Sequence, residues 1–263
     1  MTRSAAFALL LLASAAHAAV QPGTPAKPRA AAPVAASPFP VGERLLYEVI
    51  WGPFFRLGTA TMTVEGIDTI RGTPAVHVRF RIQGNHYLYR MDNTMDSWIS
   101  LADTSSLRFR QDNNENGKVR HAYYEIFPDS GYYRQEGIDS LKPTSPKPLD
   151  DAAFFYFVRT TPIEPGNRYE FNRYFRPDRN PVVLDVQKRD TLDLPLGRFP
   201  SLLLQPIIKG RGILAEASEA KMWLSDDDRR ILVQLKSKFP IVGYLTLRLA
   251  KIETVAPAKA SAR

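Results

Sequence analysis

From Leu45 to Ile252 the chain repeats one pattern, an apolar residue at every second position, and that period commits it to β-structure. Leu45, Tyr47, Val49 and Trp51 alternate with Arg44, Leu46, Glu48 and Ile50, and Ala60, Met62 and Val64 alternate with Thr59, Thr61, Thr63 and Glu65. Val76, Val78, Phe80 and Ile82 do the same against His77, Arg79, Arg81 and Gln83. Successive side chains of a strand point to opposite faces, so each run describes a strand with one buried and one wet face. Turn signals fall between the runs. Gly66 to Gly72 separates the second from the third, and Asn113-Asn114-Glu115-Asn116-Gly117 separates a run ending near Arg110 from one over 118–127. Connections this short join antiparallel neighbours.

The second half continues the theme at Arg168 to Phe175, Val182 to Lys188, Phe199 to Ile208, Lys221 to Leu224, Ile231 to Lys236 and Tyr244 to Ile252. One helix interrupts it, over Asp150 to Arg159, where Asp150 can cap the first turn and an acid suits the positive end of the helix. About a dozen strands with one short helix and no fixed-period repeat predict an all-β, mainly antiparallel domain. Its sheet is expected to be strongly curved, an open or half barrel, with a sandwich as the other solution. The sequence of 263 residues is long enough for one or two domains. The uniform patterning assigns 39–254 to one.

The flanks differ in kind. Met1-Thr2-Arg3-Ser4, an apolar run from Ala5 to Ala16 and the site Ala16-His17-Ala18 predict a secretory signal peptide over 1–18, cleaved after Ala18. The run is shorter than the ~20 residues of a membrane span, so no span is expected in the mature chain. Absence of cysteine excludes a disulfide framework and a lipid-anchored cysteine. Residues 19–38 are almost all Ala, Pro, Val, Ser and Gly and predict an extended linker, and 255–263 predict a tail of like composition. The net charge of +8 lies mostly there, which leaves 30 basic against 27 acidic residues in 39–254. No concentrated basic face is implied, and no nucleic-acid partner is expected.

With the flanks set aside, the folded part opens with Gly42-Glu43-Arg44-Leu45-Leu46-Tyr47, followed by Leu57-Gly58-Thr59-Ala60. Later come Phe157-Val158-Arg159, Pro165-Gly166, Leu194-Pro195-Leu196-Gly197-Arg198-Phe199 and Met222-Trp223-Leu224-Ser225-Asp226-Asp227-Asp228-Arg229-Arg230. In that order these blocks resemble an exported bacterial family catalogued as domain of unknown function 3108, over about residues 41 to 252. One departure stands at Leu232, where the family pattern leads one to expect proline two residues after the arginine pair. The resemblance implies export and a β-fold but no reaction, since the family has no agreed one. Trp223 with Asp226 is also similar to a strand of periplasmic lipoprotein carriers, whose half-barrel sheet shelters acyl chains. That likeness rests on one strand and its turn.

Residues that could carry chemistry are sparse. His77, His86 and His121 lie far apart without metal-ligand spacing, no cysteine nucleophile exists, and Gly-x-Ser-x-Gly is absent. Gly210-Arg211-Gly212 falls short of either phosphate-loop pattern, so no cofactor and no metal are expected. Asp226, Asp227 and Asp228 suit a hairpin turn, where carboxylates bond local amides, better than the paired acids of a glycosidase. The aromatics are more telling. Tyr47, Trp51, Phe54, Phe55, Phe80, Trp98 and Trp223 either line an apolar groove for an acyl chain or fill a closed core. Phe54 and Phe55 stand in a turn, which should be exposed. The expected function is non-catalytic binding of a lipid-like or lipidated, amphiphilic ligand in the cell envelope. The alternatives are an envelope scaffold with a protein partner, and a glycan or ester hydrolase acting through Asp226 to Asp228.

Overall fold

The computed structural model describes residues 37–53, 55–86, 89–209, 214, 219–239 and 243–256. The expected signal peptide, most of the linker, the end of the tail, and Phe54 lie outside the described residues. The first half lays down β1 (Glu43–Trp51), β2 (Phe55–Ile70), β3 (Thr73–His86), β4 (Tyr89–Ser100), β5 (Ser106–Glu115), β6 (Lys118–Phe127), β7 (Tyr132–Gln135) and β8 (Lys142–Pro143). Helix α1 (Asp151–Thr160) follows. The second half supplies β9 (Arg168–Phe171), β10 (Val182–Leu194), β11 (Gly197–Ile207), β12 (Lys221–Ser225), β13 (Leu232–Phe239) and β14 (Gly243–Thr254).

These strands form a single antiparallel sheet in the order β8 to β1, then β14 to β9. The halves meet where β1 pairs with β14, in the register Tyr47↔Leu249 and Val49↔Leu247. The sheet is curved and not closed into a barrel. Its two edges, β8 and β9, are bridged by the segments beyond them. Leu149 N donates to Arg173 O at 2.5 Å, Phe175 N donates to Leu149 O at 2.9 Å, and Thr144 Oγ1 donates to Phe175 O at 2.7 Å. This seam is why the expected strand from Arg168 to Phe175 stops at Phe171: Tyr174 and Phe175 leave the ladder to stitch the gap. β5 runs past the expected end at Arg110 to Glu115, because Asn116 and Gly117 (φ 51° and 79°) make a two-residue turn. A turn of that hand matches strand twist and lets the ladder continue to its tip.

The concave face is apolar by alternation. Leu45, Tyr47 and Val49 of β1, Ala60, Met62 and Val64 of β2, and Val76, Val78 and Phe80 of β3 are all buried in one core. Helix α1 lies inside the curve. Phe155 packs on Phe80 of β3 with ring centroids 5.6 Å apart, and Phe157 meets Phe171 of β9 at 5.1 Å. Those strands are far apart in sheet order, so one helix reaches both only from within. The sequence Ala-Ala-Phe-Phe-Tyr-Phe-Val has no polar stripe, and Ala152 to Arg159 are buried without interruption. A helix apolar on every side needs such surroundings. Asp150 starts it as expected, its Oδ1 accepting the amides of Ala152 and Ala153 at 2.9 and 2.8 Å.

Several buried polar groups are paired across elements. Arg159 Nη1 and Nη2 donate to Glu43 Oε1 and Oε2 at 2.7 and 3.2 Å, with both side chains 4% exposed. Arg229 adds a third donor to Glu43 at 3.0 Å. Helix, first strand and the β12–β13 turn are thereby tied together by one carboxylate. Ser97 Oγ donates to Asp150 Oδ2 at 2.6 Å. Burial nevertheless dominates, and the Asp150 carboxyl is pushed up to about 7.

Candidate functional site

The predicted aromatics separate into two populations. Tyr47 and Phe80 are fully buried beneath α1. Tyr47 donates its hydroxyl to Leu232 O at 2.9 Å, and burial raises that phenol well above its ordinary range. Trp98 belongs to a small separate cluster with Ile70, Ala75 and Leu107. It stacks on His77 at 4.2 Å and donates its indole N–H to Asp68 at 2.7 Å. Trp223 donates in the same way to Asp190 at 3.0 Å, a bond that lowers that carboxyl. The structure does not bring these four residues to one surface.

Trp51 and Phe55 behave differently. They face each other across the β1–β2 connection, edge to face with ring centroids 6.0 Å apart, and they are 40% and 46% exposed. Their backbones are paired in the ladder, so the rings are held as a unit. Two glycines with positive φ flank the pair. Gly52 adopts φ +58°, and its N–H donates to Tyr244 O at 3.0 Å, anchoring the turn to β14. Gly243 adopts φ +77°, and a Cβ there would lie 4.0 Å from Trp51 Nε1, an ordinary contact, so the turn geometry and not space for the indole calls for glycine. Tyr244, 38% exposed, precedes Leu245, the partner of Trp51, so its ring stands on the opposite face of the sheet, with the Lys236 ammonium 4.5 Å from its centroid. Arg56 and Arg248 both pair with Glu48, at 3.2 and 3.1 Å. The result is an exposed aromatic rim of two rings, Trp51 and Phe55, at one end of the curved sheet.

Leu245 was not singled out by the sequence, and only the β1–β14 pairing sets it opposite Trp51. Beyond the rim, the ends of β2 to β5 surround an open cleft of about 780 Å³, lined by residues that include Leu57, Gly58, Gly84, Arg90, Met91 and Asn114.

Other candidate groups are committed to the fold. Asp227 Oδ1 accepts from Ser225 Oγ at 2.6 Å and from the amides of Arg229 and Arg230 at 3.1 and 3.0 Å, while Asp226 accepts from Arg189 at 3.0 Å. The aspartates thus organise a turn, as their spacing predicts. His77, expected as a plain surface residue, is mostly covered: its Nε2 lies 2.7 Å from Asp96 Oδ1 and its ring is stacked on Trp98. Burial opposes ionisation of Asp96, but the bond to His77 and the Arg79 guanidinium overcome it and hold the carboxyl below its ordinary range. Among the described residues no group of three or more histidines and acids is placed to hold a metal ion. Among them, too, no helix is long and apolar enough to cross a membrane.

No curated protein matches the chain. Among solved structures it is similar to a beta-barrel-like protein of domain of unknown function DUF1849 from Brucella abortus, at 8% identity and a TM-score of 0.54 over 82% of this chain and 98% of that one. It also aligns with a "putative lipoprotein" from Parabacteroides distasonis at 10% identity and a TM-score of 0.37, covering 82% and 97% of the two chains. The first likeness concerns the fold alone, and it is the open, barrel-like curvature already seen in the strand order. The early Gly-Glu-Arg-Leu-Leu-Tyr block and the late Trp-Leu-Ser-Asp-Asp block stand in that curvature as the first strand and the turn tied to it through Glu43 and Arg229, and the family match, which begins inside the early block and covers residues 46–250, makes the chain a member of the family described as Protein of unknown function (DUF3108).

Proposed function

We propose that this chain is an exported protein of the bacterial cell envelope that binds a lipid-like or amphiphilic ligand without chemical conversion. The observation that carries the reading is the exposed, preorganised aromatic rim of Trp51 and Phe55. Large aromatic rings at an exposed turn lose hydration on contact with an acyl chain and supply much area at low entropic cost. The concave interior, filled by α1, leaves the rim as the apolar surface open to a ligand. Export is supported by the signal-like pattern of residues 1–18. The commitment of Asp226 and Asp227 to turn geometry supports binding over hydrolysis.

Native mass spectrometry of protein purified gently from its own envelope, before and after solvent extraction, tests the reading. A lipid-sized adduct that disappears on extraction, is retaken by the delipidated protein, and is lost in the Trp51→Ala/Phe55→Ala variant is the expected result. A bare polypeptide mass together with no uptake of any lipid after extraction overturns it and assigns the rim to a protein partner.

A further inference from the structure

Resting on the amphiphile reading, we infer that the ligand carries an anionic head group, which is held in the cleft beside the rim by Arg90. The cleft and the rim are continuous along β2. Leu57 lines the cleft, and Phe55 lies two residues before it, a separation of about 7 Å on a strand. A chain leaving the cleft past Leu57 therefore runs onto Phe55 and Trp51.

The charge balance of the cleft decides the head group. Its lining contains one acid, Asp92, and two oxygens of that carboxylate are taken by Arg81, Nε at 2.8 Å and Nη2 at 2.6 Å, with Gln83 adding a third donor at 3.4 Å. Asp92 is neutralised where it stands. Arg90 also lines the cleft, and among the described residues no acid is paired with it. Its backbone is clamped: Arg90 N donates to Asn116 Oδ1 at 2.7 Å, and Asn116 N donates to Arg90 O at 2.9 Å. The β5–β6 turn thus fixes the backbone of this lining cation. Asn85 and Asn114 also line the cleft, as do Met91 and Leu57. A planar fork of donors, flanking amides and an apolar exit match a phosphate or carboxylate with an acyl chain.

The space itself depends on a paired set of glycines. Gly58 lies opposite Gly84 in the β2–β3 ladder. At Gly58 a Cβ would lie 1.9 Å from Gln83 O, so the backbones approach too closely for any side chain. At Gly84 a Cβ would meet Leu57 O at 3.5 Å and Met91 Cε at 3.9 Å, ordinary contacts. A side chain at Gly84 is therefore accepted by the fold and occupies the cleft. Valine there suits a strand.

The test titrates delipidated protein, by tryptophan fluorescence, with lysophosphatidylglycerol and lysophosphatidylcholine of equal chain length below their critical micelle concentrations, and separately with inorganic phosphate. Wild type is expected to bind the anionic lipid about fivefold or more tightly at low salt, with the preference shrinking as salt rises. Arg90→Gln is expected to bring the two lipids level, and Gly84→Val to weaken both while circular dichroism stays unchanged. Equal affinity of wild type for the two lipids overturns the head-group assignment and leaves the amphiphile reading standing. So does a preference that survives Arg90→Gln, or full binding by Gly84→Val. Phosphate binding lost in Arg90→Gln without any lipid binding identifies a small-anion site and overturns both readings, as does the absence of all binding.

Discussion

Tyr47, Val49 and Trp51 stand in one alternating phase on β1, yet the first two are sealed and the third is 40% exposed. The difference lies in what sits above them. Helix α1 covers the middle of the concave face, where Tyr156 meets Phe39 at 5.0 Å and Phe155 meets Phe80, and its last turn is tied to Glu43, at the far end of β1 from Trp51. Both regions present large apolar side chains of one strand, with the β1–β2 register shifting between Val49 and Ile50. One is structural and the other available because a ten-residue helix reaches only so far, ~15 Å at 1.5 Å per residue. An aromatic in phase with the core is thus evidence of orientation, and coverage must come from elsewhere.

The comparison breaks most sharply if the plug itself is cut. Phe155→Ala removes a fully buried ring packed on Phe80 and is expected to lower stability by about 3–5 kcal/mol in urea unfolding. Glu43→Gln strands the buried Arg159 guanidinium, which stays in place through Arg229 O but loses its counter-charge. About 3 kcal/mol of destabilisation is expected by the same measurement. If either variant unfolds at the wild-type midpoint, α1 does not hold the concave face as described.

A third test uses pH and isolates the helix start. Asp150 ionises near pH 4 when unfolded and at about 7 when folded, so between those values the folded state binds the extra proton. Stability contributed by this group is complete below pH 4 and is lost as pH rises to 7. Asp92, held down by its bonds from Arg81, runs in the opposite sense and is unaltered by a change at Asp150. The difference between wild type and Asp150→Asn therefore reads Asp150 together with its coupling to the adjacent buried Asp151, whose carboxyl burial also raises. Asparagine caps a helix as well as aspartate does. The variant is expected to gain about 2–4 kcal/mol on wild type between pH 4 and pH 7. A constant difference across that range contradicts the burial of a charge at the helix N-terminus.

How much of this the sequence carries follows from the range of each interaction. Strands β1 to β3, the helix with its Asp150 cap and the aspartate turn rest on neighbours in sequence, and they stand where the pattern places them. β5 extends further because the sheet twist favours the Asn116-Gly117 turn over the longer loop suggested by three asparagines. β9 is shorter because Tyr174 pairs with Leu149, a contact that closes a long stretch of chain and leaves no periodic trace. The site divides in the same way. Exposure of Phe55 is local and was legible, whereas Leu245 comes opposite Trp51 through β1–β14 pairing across nearly the whole domain. Nor does a run of four aromatics in α1 announce which sheet face it fills, since a helix apolar all round has no preferred side.

The mildest perturbation sharpens the comparison most. Trp51 and Phe55 already spend much of their area in water, so Trp51→Ala and Phe55→Ala remove less burial than any core ring does. Each is expected to change stability by less than about 1 kcal/mol, where the buried Phe155 costs several. Each is also expected to reduce uptake of lipid by the delipidated protein, and the double variant to abolish it, because the rings act as one edge-to-face unit. Measured side by side, the two quantities should separate: Phe155→Ala moves the unfolding midpoint, Phe55→Ala moves binding. If Phe55→Ala destabilises as Phe155→Ala does, the rim is an extension of the core and the two regions are one. If neither quantity moves, the rings serve neither the fold nor a lipid.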